Sequence, residues 1–446
     1  MNAPATQIDR RERLLVRLDE SRSVTDDLFR IVSTDALYDR PIPERHRIVF
    51  YIGHLEAFDW NLMAGHGLGL GPAHHEYDRL FAFGIDPING GLPMDQPWDW
   101  PRLPEVNAYS LHVRQELERI LRGGSPGPSS AWQYPLETLL NVAIEHRLMH
   151  AETLAYMLHR LPHNRKVAPP GYRALAVTGS GKNTQPGMVD VPAGTVTLGI
   201  SQQSEAFGWD NEFKAHVVEV PAFAIDAYKV TNGDFLAFVR AGGYDDQSYW
   251  RDTDWAWVRE QNIRHPRFWS ERQGQWFYQA MFEEVPLPLD WPVYVSHAEA
   301  SAYANYARKS LPTEGQFHRA AYGTAGDTER TYPWGDATPG AGHGNFDFNR
   351  WDPAPVGSYP VGRSALGAED MLGNGWEWTC STFAPFPGFE PFPFYRGYSA
   401  DFFDGKHFVM KGASPRTAAC MLRRSFRNWF QAHYPFVYAS FRCVSN

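Results

Sequence analysis

Three histidines offer the clearest chemistry in this 446-residue chain: His54 in YIGHLEAFDWNL, and His146 and His150 in IEHRLMHAETLAYMLHRL. The second pair lies in a stretch free of Gly and Pro from Leu136 to Leu161. On a helix, i, i+4 spacing sets two imidazoles on one face, about 5–6 Å apart at Cβ. Nitrogens so placed can share a divalent ion, and His54 from a second helix can complete a three-nitrogen face. Three protein ligands leave coordination positions open to substrates, the layout of a catalytic rather than a structural metal site. The same spacing also suits ordinary helix-surface or core histidines in a chain that holds 17 of them.

The elements that must carry these residues are helical. Ile8–Ile31 places Leu14, Leu15, Leu18, Val24, Leu28 and Ile31 at helical spacing. Pro43–Met63 is a second helix, with Ile48, Ile52, Leu55 and Phe58 on one stripe and His54 beside it; Pro104–Leu121 is a third. After the breaker GGSPGPSS comes the helix of His146 and His150. Four helices with one long connection, 64–103, predict a four-helix bundle with a metal between facing helices, the second and the fourth.

The bulk numbers bound the rest. With 43% hydrophobic and 15% aromatic residues the chain can bury a large core and should form two domains or more. A formal charge of −9 and the lack of any Lys/Arg-rich run argue against nucleic acid as partner. Cys380, Cys420 and Cys443, odd in number and widely spaced, make neither a disulfide framework nor a CxxC zinc site. The polar start MNAPATQIDRRERLLVRLDE lacks an apolar signal core, and no run approaches the roughly 18 apolar residues of a membrane span. The expectation is a soluble protein of a reducing cytoplasm with no membrane partner.

From about residue 162 the texture changes. The helical domain is expected over 1–162, a Pro/Gly-rich linker over 163–190, and an aromatic-rich α+β domain over 191–446. One helix there is well marked, Ser296–Ala307, with Ser296 as N-cap and Glu299 completing a capping box.

The C-terminal half resembles the formylglycine-generating-enzyme/sulfatase-modifying fold, a variant of the C-type lectin fold. The matching pieces are PAGTVTLG (192–199), FAIDAYKVTNGDFLAFVRAGGY (223–244), PVYVSHAEASAYANY (292–306), LPTEGQFHRAAYGT (311–324), YPWGD (332–336), EDMLGNGWEWT (369–379) and ASFRC (439–443). Each is mainly a fold signature: Trp376, Trp378 and Phe441 read as core, and the glycines and Asn of GNG as tight backbone geometry. The copper-binding cysteine pair of formylglycine-generating enzymes has no counterpart, since TAACMLRRSF before RNWF holds only Cys420. Formylglycine generation is therefore not the expected activity.

A histidine-bearing four-helix domain (DinB-like) joined to this lectin-like domain resembles the non-haem iron sulfoxide synthases, which include the ergothioneine, ovothiol and selenoneine synthases. The resemblance implies an α+β multidomain protein and an Fe(2+) cofactor on His54, His146 and His150, with Glu152 and Thr153 following. It implies the substrates O2, hercynine (the trimethylated histidine betaine) and a thiol or selenosugar. RRSFRNWF (423–430) is similar to the segment whose Asn-Trp contacts hercynine, a role that falls on Asn428 and Trp429. The family's catalytic tyrosine has no clear counterpart after WEWT; Tyr395 and Tyr398 in FYRGYSADFF are the candidates.

Departures from the ergothioneine pattern bear on the donor. In place of an Arg-rich loop resembling GxRxxRxxRGxxSRP, which grips donor carboxylates, the chain reads GIDPINGGLPMDQPWDWPRLP (84–104), with Arg102 as its one basic residue. Asp86, Asn89, Asp95 and Asp99 suit sugar hydroxyls, and Trp98 and Trp100 a sugar ring; a plain solvated loop is the alternative. Within the histidine pair stand Arg147, Leu148 and Met149, where many relatives have a Gln that reaches substrate, and Phe430 follows Asn-Trp where some γ-glutamylcysteine users carry Asp. These changes point to a neutral selenosugar and C–Se bond formation at hercynine C2. Ergothioneine synthesis from cysteine or γ-glutamylcysteine, a carbohydrate-binding module with a degenerate bundle, and a DinB-like zinc thiol transferase stay open.

Overall fold

The computed structural model describes residues 3–82, 92–123, 132–175 and 187–445. The chain forms two compact units, Met1–Tyr172 and Arg173–Asn446. Among the described residues no helix is long and apolar enough to cross a membrane.

The first unit is built on four long helices: α1 (Ala3–Arg30), α2 (Ile48–Trp60), α4 (Leu103–Leu121) and α5 (Leu136–His159), with a short α3 (His75–Leu80) in the long connection. Helix α4 is amphipathic in the ordinary way, burying Val106, Tyr109, Val113, Leu117 and Ile120 on one stripe. Helix α5 is different. From Leu139 to His159 nearly every residue is buried, charged and polar ones included, so it runs through the middle of the unit, packed on α1 and α2. Helix α2 ends not in a cap but in a π-helical turn, Asn61–Gly67, a geometry that occurs disproportionately at functional sites. The segment 163–167, expected as linker, belongs to this unit: Ser33 N–H donates to the Arg165 carbonyl at 3.0 Å and Val167 N–H to that of Ile31 at 2.8 Å. Residues 176–186 of the expected linker lie outside the described residues.

What fixes α2 against α5 is ionic. Arg147, completely buried, donates to Glu56 Oε1 at 3.0 Å, to Asp59 Oδ2 at 2.7 Å and to the Leu55 carbonyl at 3.1 Å. Arg114 of α4 adds a bond to Glu56 at 2.9 Å and grips Asp26 of α1 with two bonds of 2.8 Å. Burial pushes the Glu56 carboxyl upward, but Arg147 and Arg114 outweigh it and hold its pKa at about 2. Arg147 was expected to stand where relatives direct a Gln at substrate; one position on from His146 it is turned some 100° round the helix and spent on the α2 carboxylates instead.

The second unit is an irregular α+β domain. Its main sheet has the order β10-β9-β8-β11, formed by β8 (Gly375–Thr382), β9 (His407–Ala413), β10 (Asn428–Gln431) and β11 (Ala439–Ser440). The capping box at Ser296 is present at the start of α8 (His297–Tyr306), with Ser296 N–H donating to Glu299 at 2.8 Å. Trp376, Trp378 and Phe441 are core residues, as their motifs suggested. In GNG, Gly373, Asn374 and Gly375 all have positive φ (97°, 64° and 140°), and a Cβ on Gly373 would lie 2.8 Å from the Asn345 carbonyl oxygen. Arg442 of the last motif clasps Glu377 of β8 with bonds of 2.6 and 2.9 Å, and Lys229 joins it at 2.8 Å. That ties together three of the sequence motifs.

Replacing Arg147 by Met keeps most of the volume but leaves Glu56 and Asp59 with too little compensating charge in the core. The expected loss is about 3–5 kcal/mol of unfolding free energy, the usual cost of removing one partner from a buried pair. Urea titration followed by helical circular dichroism measures it; a loss below about 1 kcal/mol would show that the carboxylates find water or other partners.

Candidate metal centre

His54 projects from α2, and His146 and His150 from successive turns of α5. All three are buried, and their Nε2 atoms converge: His54 to His150 is 3.3 Å and His150 to His146 is 3.1 Å. With metal–nitrogen bonds of about 2.0–2.1 Å, ligands at right angles sit about 3 Å apart, so these separations match adjacent corners of one coordination sphere. Among the described residues this is the one group of three His, Cys, Asp or Glu side chains with ligand atoms close enough to hold an ion, all within 4.8 Å.

The surroundings prepare the nitrogens for that task. His54 Nδ1 lies 2.7 Å from the Phe81 carbonyl, so Nδ1 carries the proton and Nε2 presents its lone pair. Phe81 gets that near because residue 53 is glycine: a Cβ there would fall 2.5 Å from the Phe81 ring. Phe50 stacks on His54 with centroids 4.8 Å apart, and Phe58 on His146 at 3.4 Å. Burial among these rings depresses the His54 pKa from 6.5 to about 4, with the Phe81 bond opposing and the positive charge of Arg147 assisting. His146 and His150 are lowered well below 6.5, first by burial and then, for His146, by His150 and His54 and, for His150, by His54 and Arg45. Three neutral imidazoles suit iron, zinc, copper or nickel equally by donor type. Glu152 and Thr153, which follow the pair, are buried within α5.

The acidic loop is less open than expected. Asp86 and Asn89 lie outside the described residues. Asp95 is not a free acceptor for a sugar: Arg40 and Arg47 both donate to it, the latter at 3.0 Å, as does Trp100 Nε1 at 2.7 Å. Burial raises the Asp95 carboxyl, but the Trp100 bond and the two arginines lower it further, and the net shift is downward. Trp100 is packed on Phe50 at 5.8 Å and on Phe81 at 6.2 Å, in the ring layer behind His54. Asp99 Oδ2 accepts the Gln96 N–H at 2.7 Å and so caps its own short turn. Trp98 is 78% exposed. The Arg102 backbone N–H donates to Glu105 at the start of α4.

In the second unit Trp429 is half-buried on β10 and stacks on Phe383, centroids 4.1 Å apart and planes 6° from parallel. Tyr398 stands edge-on to it at 5.4 Å, and Phe402 lies tilted against it at 5.6 Å. Arg427, clamped on Glu314 by bonds of 3.0 and 3.2 Å, sits over Phe383 at 4.9 Å. Tyr398 also stacks on the buried Trp209 at 3.9 Å, and Tyr395 neighbours it at 5.6 Å. Asn428 Oδ1 accepts the Trp429 N–H at 2.8 Å. Phe430 alternates to the other face of the strand and stacks on Tyr434 at 5.2 Å, apart from the Trp429 cluster.

The sequence brings out the three histidines that converge, but not Phe81, Gly53 and Phe50 around them, nor Arg40 and Arg47 around Asp95. The glycine beside His54 was the one readable signal, a helix-interior Gly that costs about 1 kcal/mol unless packing needs it.

Comparison with known proteins places residues 174–446 on the model of the sulfatase-modifying factor enzyme 1-like domain and residues 17–154 on that of the DinB superfamily. The chain is 39% identical over 424 residues to the hercynine oxygenase of Mycolicibacterium smegmatis, covering 92% of this chain and 94% of that protein. It is 40% identical over 302 residues to the hercynine oxygenase of Mycolicibacterium thermoresistibile, a match spanning 65% of this chain and 64% of the relative, just under two thirds. Ergothioneine biosynthesis protein 1 of Neurospora crassa is 27% identical over 92% of this chain and 55% of its own length.

Two outcomes follow from the geometry. Gly53→Ala should push Phe81 off His54 and weaken metal binding about 10–100-fold, the usual effect of losing a ligand's supporting bond; competition with a chromophoric chelator reads it. Because the folded imidazoles bind protons only far below 6.5, metal affinity should stay nearly flat from pH 7 to about 5 and fall as pH nears the His54 value of about 4. A fall already centred on pH 6.5 would mean the imidazoles are solvated.

Proposed function

The chain belongs to the sulfoxide synthase family, in which a DinB-superfamily domain is joined to a sulfatase-modifying factor enzyme 1-like domain, and from that membership we propose an O2-dependent iron enzyme that forms a carbon–chalcogen bond at imidazole C2 of hercynine. The observation that carries the proposal is the buried convergence of His54, His146 and His150 with the His54 tautomer fixed by Phe81. An iron(II) ion held there would supply dioxygen activation and open positions for a chalcogen donor.

The remaining work belongs to the protein. Hercynine carries a quaternary ammonium that donates no ordinary hydrogen bond and is best met by aromatic faces. Trp429, with Phe383, Tyr398 and Phe402 around it, supplies such faces, and Asn428 beside it supplies an amide. Tyr398 or Tyr395 would hold a proton for transfer at its phenolic oxygen. The burial of the three imidazoles keeps bulk water from the site, as chemistry on an unreactive C–H position needs.

For the donor we propose a neutral selenosugar, giving a C–Se bond. What supports it is Asp99 at the surface of the 84–104 segment, with the exposed Trp98 beside it as a ring platform. Asp95 no longer counts toward the sugar; Asp99 keeps one carboxylate oxygen beyond its cap. A thiol donor, cysteine or γ-glutamylcysteine, is the second reading, favoured by the relatives named for ergothioneine biosynthesis. A degenerate carbohydrate-binding module does not require a buried three-histidine cluster, and a zinc thiol transferase gives the second unit no role. We place the enzyme in the cytoplasm, the reducing compartment that suits three widely spaced cysteines.

Iron-loaded protein given hercynine and air, with selenosugar, cysteine and γ-glutamylcysteine in parallel, should yield a selenium-bearing hercynine by mass spectrometry, and His146→Ala should yield none. Equal or better use of γ-glutamylcysteine restores the thiol reading; no hercynine consumption with any donor defeats both.

A further inference from the structure

Arg40 and Arg47, on the approach to α2, converge on a single carboxylate. Arg47 Nε donates to Asp95 Oδ2 at 3.0 Å and its Nη2 to the Asp95 carbonyl at 2.7 Å, while Nη1 takes the Tyr38 carbonyl at 2.7 Å. Arg40 Nη2 donates to Asp95 Oδ1 and Nη1 to the Pro93 carbonyl at 2.8 Å. The two arginine side chains are only 14% and 11% exposed. Two guanidiniums held this close repel each other unless an anion lies between them, and their planar forks match a carboxylate. By its chemistry this is a carboxylate-binding pair, filled by a side chain of the same protein.

Its position gives the pair meaning. Arg47 is the N-cap of α2 and His54 stands seven residues on, two turns along the same face and about 10 Å away along the axis. Phe50 lies between them, stacked on His54, and Trp100 packs on Phe50 while donating to Asp95. A thiol bound at the histidines and carrying its carboxylate two residue-lengths away is of the right length to reach the arginines, about 7 Å of extended chain plus a side chain.

We propose that Asp95 is a donor-selectivity element, an internal carboxylate that occupies the Arg40–Arg47 pair and so denies it to donors that carry one of their own. A neutral donor loses nothing by this; a charged donor must either displace Asp95 or leave its carboxylate partly desolvated with no matched fork. The proposal rests on the reading that the chalcogen donor binds beside His54.

The test compares full-length wild type with Asp95→Asn, which keeps the shape and removes the charge. Calorimetric titration uses γ-glutamylcysteine as the charged probe and 1-thioglucose as the neutral one, with zinc in place of iron so that binding is read without turnover. Asp95→Asn should bind γ-glutamylcysteine at least tenfold more tightly than wild type, with 1-thioglucose changed less than threefold. Adding Arg47→Gln should abolish the gain. Unchanged γ-glutamylcysteine affinity, or a gain that survives Arg47→Gln, overturns the proposal, as a loop merely stapled by Asp95 would lose affinity for both probes. Asp95→Ser serves the same comparison should the Asn variant fail to fold. Hercynine turnover is scored separately, so failure of the proposed function leaves the binding comparison to decide the role of Asp95.

Discussion

The site depends on one buried ionic contact, Arg147 against Glu56 and Asp59. Arg147 sits between His146 and His150 of α5 in sequence, and its carboxylate partners flank the turn of α2 just after His54. A single guanidinium therefore sets the axial register and the rotation of the two helices that carry the converging histidines. An apolar contact would hold the helices together as well, because a buried pair yields little net stability over well-packed hydrophobes. It would not fix their register to the fraction of an ångström that three converging nitrogens need. Hydrogen bonds have directions and dispersion has none, which is the physical reason to put charge in this core. The cost is that every partner must be present, and Arg114, reaching from α4 to Glu56 and Asp26, completes the balance.

That arrangement also shapes the field at the histidines. Arg147 lends positive potential to their surroundings, and together with burial this keeps the imidazoles neutral. Neutral imidazoles close together offer lone pairs with few protons to share among them, and a bound cation relieves the repulsion. Low proton affinity leaves the Nε2 lone pairs open to a metal ion at neutral pH, and Glu56 and Asp59 offset the positive charge of Arg147 that would otherwise oppose it.

The histidine cluster was legible because the physics behind it is local: i, i+4 spacing follows from helix geometry alone, and the four bundle helices follow from apolar periodicity. The capping box at Ser296 was legible for the same reason. What could not be read was pairing across the chain. Nothing local says that Arg147 turns to Glu56, that the Phe81 carbonyl meets His54 across 27 residues, or that Arg442 clasps Glu377. The C-terminal motifs could be recognised as fold signatures, yet their physical content, a buried Lys229–Glu377–Arg442 cluster and three consecutive positive φ angles, needed coordinates.

The 84–104 loop shows why a charge count within one segment misleads. By itself the segment is acidic, and its aspartates look like open acceptors. In the fold, Asp95 meets two arginines from a segment about 50 residues earlier, and the local balance at that point becomes one anion against two cations. A loop is solvated only if no other element claims its charges, and the N-terminal approach to α2 claims this one. Its indole neighbour Trp100 is drawn in as well, so the segment that looked like a free binding loop is partly packed against the rings behind the histidine cluster, with Trp98 left as its exposed edge. Donor choice then turns less on how many acids the loop contains than on which cations those acids already hold.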